Sequence, residues 1–162
     1  MKEQFMELLY QNQGIVHKIC NLYFMDRLEK EDYQQELIIQ LWKAFPTYKS
    51  TAKFSTWMYR VCINAAIDIK RKEKKQLKYA TLSEARFQNT ISNDEAYSTH
   101  KEKLYEAISR LSDVDRAIIT LHLEEYSYKE ISEIIGISTS HVGVKINRIK
   151  SKILKSFEDG NG

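Results

Sequence analysis

Between Ser127 and Ile153 the apolar residues fall in two runs at helical spacing, and the break between them has the composition of a tight turn. Ile131, Ile134 and Ile135 share one face of a first predicted helix, which Ser127 and Glu130 open as a capping box: hydroxyl and carboxylate each satisfy a backbone N–H that a helix start leaves without a partner. Gly136 stands where a left-handed residue ends a helix, Ile137 plugs the turn, and Ser138, Thr139 and Ser140 offer N-caps to a second helix. There Val142, Ile146, Ile149 and Ile153 recur at intervals of four, three and four. The pattern is that of a helix-turn-helix.

The rest of the chain repeats the helical period. Phe5, Leu8, Leu9, Ile15, Val16, Ile19, Cys20, Tyr23 and Phe24 form a stripe broken only at the polar turn Asn12–Gly14. A second segment opens at Lys30–Asp32 and is stopped by Pro46, with Tyr33, Leu37, Leu41 and Phe45 on its inner edge and Ile38 and Trp42 widening it. Its outer face presents Asp32, Gln34, Gln35, Glu36 and Gln40, which by themselves suit either solvated surface or a docking face. Ser55 can cap a third helix running to Lys72, with Phe54, Trp57, Met58, Val61 and Ala65 inward. From residue 76 the period decays into Ser, Thr, Asn and charge, too long for an ordinary connection. Thr99 with Glu102 restarts helix through Leu104, Ile108 and Leu111, and Ser112 with Asp115 caps the next, through Ala117, Ile118 and Leu121. The expectation is an all-α protein: two small helical domains, 1–75 and 100–162, joined by a flexible linker, 76–99.

Composition narrows the function. With one proline, five glycines and no sustained period-two alternation, strands are not expected. The net charge of +3 conceals clustering: five of the six residues in Lys70–Lys75 are basic, as are five of the eleven in Lys145–Lys155. Partners bearing phosphates are implied. Lys145, Arg148 and Lys152 stand on the outer face of the last helix, and no Asp or Glu occurs from Gly136 to Phe157. Aromatic residues beside cations at Phe54–Lys75 suit unstacked bases, the ring giving a platform and the cations holding phosphates, although aromatics at this spacing also suit a core.

Cys20 and Cys62 form no CxxC and have no nearby His pair, so no metal is expected and a reduced interior is the simpler reading. His17, His100, His122 and His141 are scattered, and no nucleophile with a base or Gly-rich phosphate loop is visible, so neither enzyme nor cofactor is expected. The N-terminus lacks a leader's apolar core and no run of about eighteen apolar residues occurs, which points to a cytoplasmic protein without membrane insertion. A DNA-binding module is the first reading. A stand-alone helix-turn-helix regulator, with an N-terminal lobe that senses a signal or dimerises, is the alternative. The aromatic and basic helix at Phe54–Lys75 separates them, since a regulator has no need of a surface for unstacked bases.

The order DYQQELIIQLWKAF, KFSTWMYRVCINAAIDIKRK, a variable linker, LSDVDRAIITLHL and the helix-turn-helix resembles a bacterial RNA polymerase sigma factor of the small extracytoplasmic-function type, over Phe5–Lys75 and His100–Phe157. The resemblance implies that the chain binds core RNA polymerase and directs promoter recognition and opening. It implies that Asp32, Gln35, Glu36, Leu41 and Trp42 dock on the polymerase clamp, which turns the polar outer face from solvated surface to docking face. It assigns the minus-ten element to the loop and helix Tyr48–Lys72, where Trp57, Arg60, Asn64, Asp68 and Arg71 fall on the family motif beside Lys49, Lys53 and Tyr59. The minus-thirty-five element falls to Ser138, Thr139, Ser140, His141, Val144, Lys145 and Arg148. The linker is implied to thread towards the polymerase cleft, and an anti-sigma factor is a further partner the resemblance allows. One departure stands out, because Gly143 occupies a position where the family commonly has a cation.

Overall fold

The structure, a computed structural model, describes residues 1–25, 27–80 and 100–160. Two short helices come first, α1 (Lys2–Gln11) and α2 (Gln13–Phe24), parted at Asn12, whose side-chain amide donates to the Leu8 carbonyl at 2.9 Å. Helix α3 (Lys30–Ala44) follows, then a 3₁₀ turn (Phe45–Thr47) in which Pro46, lacking an N–H, forces the predicted stop. The long α4 (Phe54–Ala80) completes the first lobe. Phe24, Leu37, Leu41 and Met58 are its largest fully buried side chains, and Phe24 stacks on Tyr33 at 4.1 Å between ring centroids.

The second lobe holds α5 (His100–Ser109), α6 (Asp113–Leu123), α7 (Tyr128–Ile135) and α8 (Thr139–Gly160). The starts of α6 and α7 are capped as the sequence predicts: Ser112 accepts from the Asp115 N–H, and Ser127 and Glu130 close a full capping box. Among the three candidate caps for α8 it is Ser138 that accepts, from the His141 N–H at 3.1 Å. Gly136 ends α7 at φ 86°, a conformation that any Cβ would strain. Val142, Ile146, Ile149 and Ile153 are all buried against α6 and α7.

Two expectations change. Helix α4 begins at Phe54, one residue before its predicted cap, and continues to Ala80, so its last turn runs into the stretch read as linker. Residues 81–99, including the predicted cap Thr99, lie outside the described residues. The buried arc of α4 is also wider than its predicted stripe. Tyr59, Cys62, Ile63 and Ala66 are buried while Trp57, Val61 and Ala65 are only partly so, because α4 packs on α2 and α3 within its lobe and on α7 of the other.

Candidate nucleic-acid interface

Helix α4 carries the first candidate surface. Trp57, Arg60, Asn64, Asp68 and Arg71 are spaced by three, four, four and three residues, which puts them on one face. Arg60, Asn64, Asp68 and Arg71 are exposed and Trp57 is partly so, while the opposite arc is buried. Arg71 lies 3.7 Å from Asp68 in an exposed pair, too weak to hold the guanidinium from another anion. The loop before α4 is fixed by its own chemistry: Thr47 Oγ1 donates to the Ala44 carbonyl at 2.6 Å and Tyr48 donates to the Ala52 carbonyl at 3.0 Å. The rings of Tyr48, Phe54 and Trp57 meet at 5.2–5.4 Å between centroids, so the exposed Lys49 and Lys53 ride on an aromatic knot. Trp57 is therefore packed along one edge and open along another.

Two predicted contact residues are corrected. Tyr59 is 2% exposed; its hydroxyl donates to Glu124 at 3.1 Å and its ring meets Tyr126 edge-on at 5.5 Å, so in this arrangement it joins the lobes and is closed to bases. Leu41 is wholly buried, so its side chain cannot touch a docking partner and instead holds α3 on the core. The other predicted docking residues do reach the surface. Asp32 and Gln35 are exposed, Glu36 accepts from the Gln40 amide at 2.9 Å, and Trp42 is 43% exposed with one edge on Phe5.

At the cap and along α8 the residues Ser138, Thr139, Ser140, His141, Val144 and Arg148 are all exposed. Lys145 is not free in the same way. Its ammonium lies 3.2 Å from Asp115, a mostly covered carboxylate in the first turn of α6, and Lys152 approaches the same group at 4.0 Å. The cationic face predicted as uniform is thus partly neutralised along one flank, an effect of an acid from a different helix that no reading of α8 alone reveals. Gly143 has ordinary helical backbone, and a mid-helix glycine costs about 1 kcal/mol relative to alanine.

The junction between the lobes is a polar lattice that the sequence did not disclose. The Tyr23 hydroxyl donates to the Asp113 carbonyl at 2.6 Å, and Lys70 donates to the Asp113 carboxylate at 2.9 Å. Arg116 donates to the Leu22 carbonyl at 3.2 Å and the Ser109 carbonyl at 2.6 Å, placing one cation at the C-terminal ends of α2 and α5, where helix dipoles favour it. Lys18 pairs with Glu124 at 3.3 Å, beside the Tyr59 contact. Burial, then the Asp113 charge, pushes the Tyr23 hydroxyl above its ordinary range, and burial, then Glu124, does the same for Tyr59, so both remain neutral donors. Among the described residues no cluster of His, Cys, Asp or Glu is placed to hold a metal, and no helix is long and apolar enough to cross a membrane.

Residues 8–76 match the Sigma-70 region 2 family and residues 101–153 match Sigma-70, region 4. The chain is 30% identical to the ECF RNA polymerase sigma factor SigM of Bacillus subtilis over 83% of each protein. It is 27% identical to SigW of the same organism over 98% of this chain and 85% of that one. Two solved structures share the fold across both lobes. They are the sigma factor RpoE bound to the anti-sigma factor NepR from Bartonella quintana (TM-score 0.71, 15% identity, 98% of each chain) and CnrH bound to the cytosolic domain of CnrY (TM-score 0.67, 16% identity, 100% of this chain and 92% of that one). A stand-alone regulator would have no use for a region 2 lobe, and the helix-turn-helix is the region 4 half of a two-part factor: the chain belongs to the ECF group of the sigma-70 family and directs promoter recognition by RNA polymerase.

Proposed function

We propose that this sigma factor divides its work among three faces. The outer face of α3, with Asp32, Gln35, Glu36 and Trp42, docks on core polymerase. The exposed face of α4, with Trp57, Arg60, Asn64 and Arg71, and the loop lysines Lys49 and Lys53, hold the opened minus-ten segment. The N-terminal half of α8 reads the minus-thirty-five element. The observation that carries this reading is the single exposed face of α4, where a partly open tryptophan, two arginines and an asparagine line up over a fixed, lysine-bearing loop. The chain supplies recognition and strand capture, and the polymerase supplies the chemistry, in the cytoplasm where both work.

Promoter elements centred about 25 base pairs apart are separated by about 85 Å of duplex, whereas a compact chain of this size is about 40 Å across. The lobes must therefore part on the promoter, and core polymerase is what holds them apart. RpoE is held by an anti-sigma factor in its solved structure and CnrH by the cytosolic domain of CnrY, and an anti-sigma factor is the further partner we assign to this chain. Co-purification with core polymerase followed by run-off transcription tests the proposal: Glu36→Lys should abolish both while leaving the helical circular dichroism and melting temperature unchanged. Normal core binding by that folded variant would move the docking face elsewhere.

A further inference from the structure

Nothing in the fold asks for glycine at position 143. Its φ is not positive, and a Cβ there would meet only the Tyr128 ring, with Cε2 at 3.4 Å and Cδ2 at 3.8 Å, which is ordinary contact. Alanine would fit and would be the better helix former. What the glycine leaves is a notch in the side of α8. Its floor is the edge of the Tyr128 ring, on the first residue of α7, and beside it stands Val144, 47% exposed. The His122 imidazole lies 6.0 Å from the Tyr128 ring, so α6 packs beside that ring. Burial, then Lys150, keeps His122 below its ordinary pKa, and no imidazolium charge stands behind the notch at neutral pH.

The notch belongs to the arc that α8 offers to a groove. Gly143 lies three residues after Ser140 and four before Asn147, both exposed, while Arg148 and Lys150 stand exposed nearby to draw phosphates. A duplex drawn to those cations lays its base edges over an apolar hollow instead of a charged side chain. In the major groove the apolar group that base edges offer is the C5-methyl of thymine, and a lysine or arginine in this place would instead suit the acceptors of guanine. We propose that the Gly143–Tyr128 notch receives a thymine methyl of the upstream promoter element, so that this chain selects an A·T pair there by apolar contact. The inference rests on α8 being the upstream reader. It gives the glycine a use that offsets its cost to the helix.

The test uses the full chain with core polymerase on a library randomised over both promoter elements, followed by duplex promoters in which each upstream thymine is replaced in turn by deoxyuridine, which lacks the methyl. One replacement should weaken open-complex formation about fourfold, the worth of burying one carbon group. Gly143→Lys, whose stem and ammonium cover the notch with a cation, should fold and initiate, yet be indifferent to thymine against uracil at that position. If every replacement is neutral, or if Gly143→Lys keeps the preference, the notch is not a methyl receptor. Enrichment of a minus-ten motif with no upstream motif at all would overturn the notch together with the assignment of α8. An upstream motif blind to the methyl would overturn the notch alone.

Discussion

Tyr59 and Glu124 meet across the junction of the two lobes, hydroxyl to carboxylate at 3.1 Å, with Lys18 on the same carboxylate at 3.3 Å. A hydrogen bond to a charged group contributes about 1.5–3 kcal/mol, whereas the Lys18 pair, more than half exposed on the lysine side, contributes little. Tyr59→Phe should therefore loosen the junction without disturbing either lobe's core, and Glu124→Ala should do so more, since it also releases Lys18. Small-angle scattering of the free protein should report a larger radius of gyration for both variants. An unchanged radius would assign the closure to the Asp113, Lys70 and Arg116 contacts.

Alkali should act on the buried thiols and on the junction tyrosines. Burial pushes the Cys20 thiol up to about 11 and, with the neighbouring Cys20 as a second cause, Cys62 up to about 12, both from an ordinary 9.0. Tyr23 and Tyr59 are raised from 10.0, again chiefly by burial. Each group is neutral when protonated, and the folded chain holds that proton more tightly than the unfolded one. The stabilisation is therefore full below about pH 9 and is lost as pH rises through the folded values near 11 and 12. Melting temperatures should fall steadily above pH 9, and both thiols should resist maleimide at neutral pH until denaturant is added. A melting temperature that holds level from pH 9 to 11 would mean that these groups are open to water.

The contrast between Leu41 and Trp42 separates core from surface on α3. Leu41 is wholly buried, so Leu41→Ala should cost about 2–5 kcal/mol and lower the denaturant midpoint. Trp42 keeps 43% of its surface exposed, and Trp42→Ala should cost less stability yet weaken core-polymerase binding. Denaturant titration beside a pull-down distinguishes them, and the reverse ordering would show the helix to be rotated from its assigned face.

Much of this was legible in the sequence because helix starts, stops and faces are local matters. Ser127 with Glu130, Gly136, Pro46 and the isoleucines of α8 each act within one or two turns, and the structure places all of them as their chemistry requires. What escaped is non-local. Tyr59 reads as an exposed aromatic beside cations, but its surroundings are set by Glu124 and Tyr126, 65 and 67 residues away. Lys145 reads as a free cation until α6 brings Asp115 against it. The resemblance puts Leu41 on the docking face, although its spacing with Leu37 marks it as core. The family motif names a helix, and only burial tells which of its side chains a partner can touch.

Melting separates the face of α4 from every other candidate surface. Opening a duplex costs roughly 1.4 kcal/mol of stacking per base step, and an aromatic platform returns about 1–3 kcal/mol for each base stacked on it. While the lobes are closed the platform on this face is the open edge of Trp57; Tyr59 is released from Glu124 and Tyr126 only once they part, and the rest of the return must come from Arg60, Asn64, Arg71 and the loop lysines. Arg60→Ala with Asn64→Ala removes two exposed groups and no core contact, so the variant should fold, join core polymerase and still dock at the upstream element. It should fail to expose thymines to permanganate around the start site. A template carrying a mismatched bubble should restore most of its transcription, because the stacking cost is then already met. Normal opening on duplex DNA would place the melting surface on another face, and loss that the bubble cannot restore would place Arg60 and Asn64 in core binding instead.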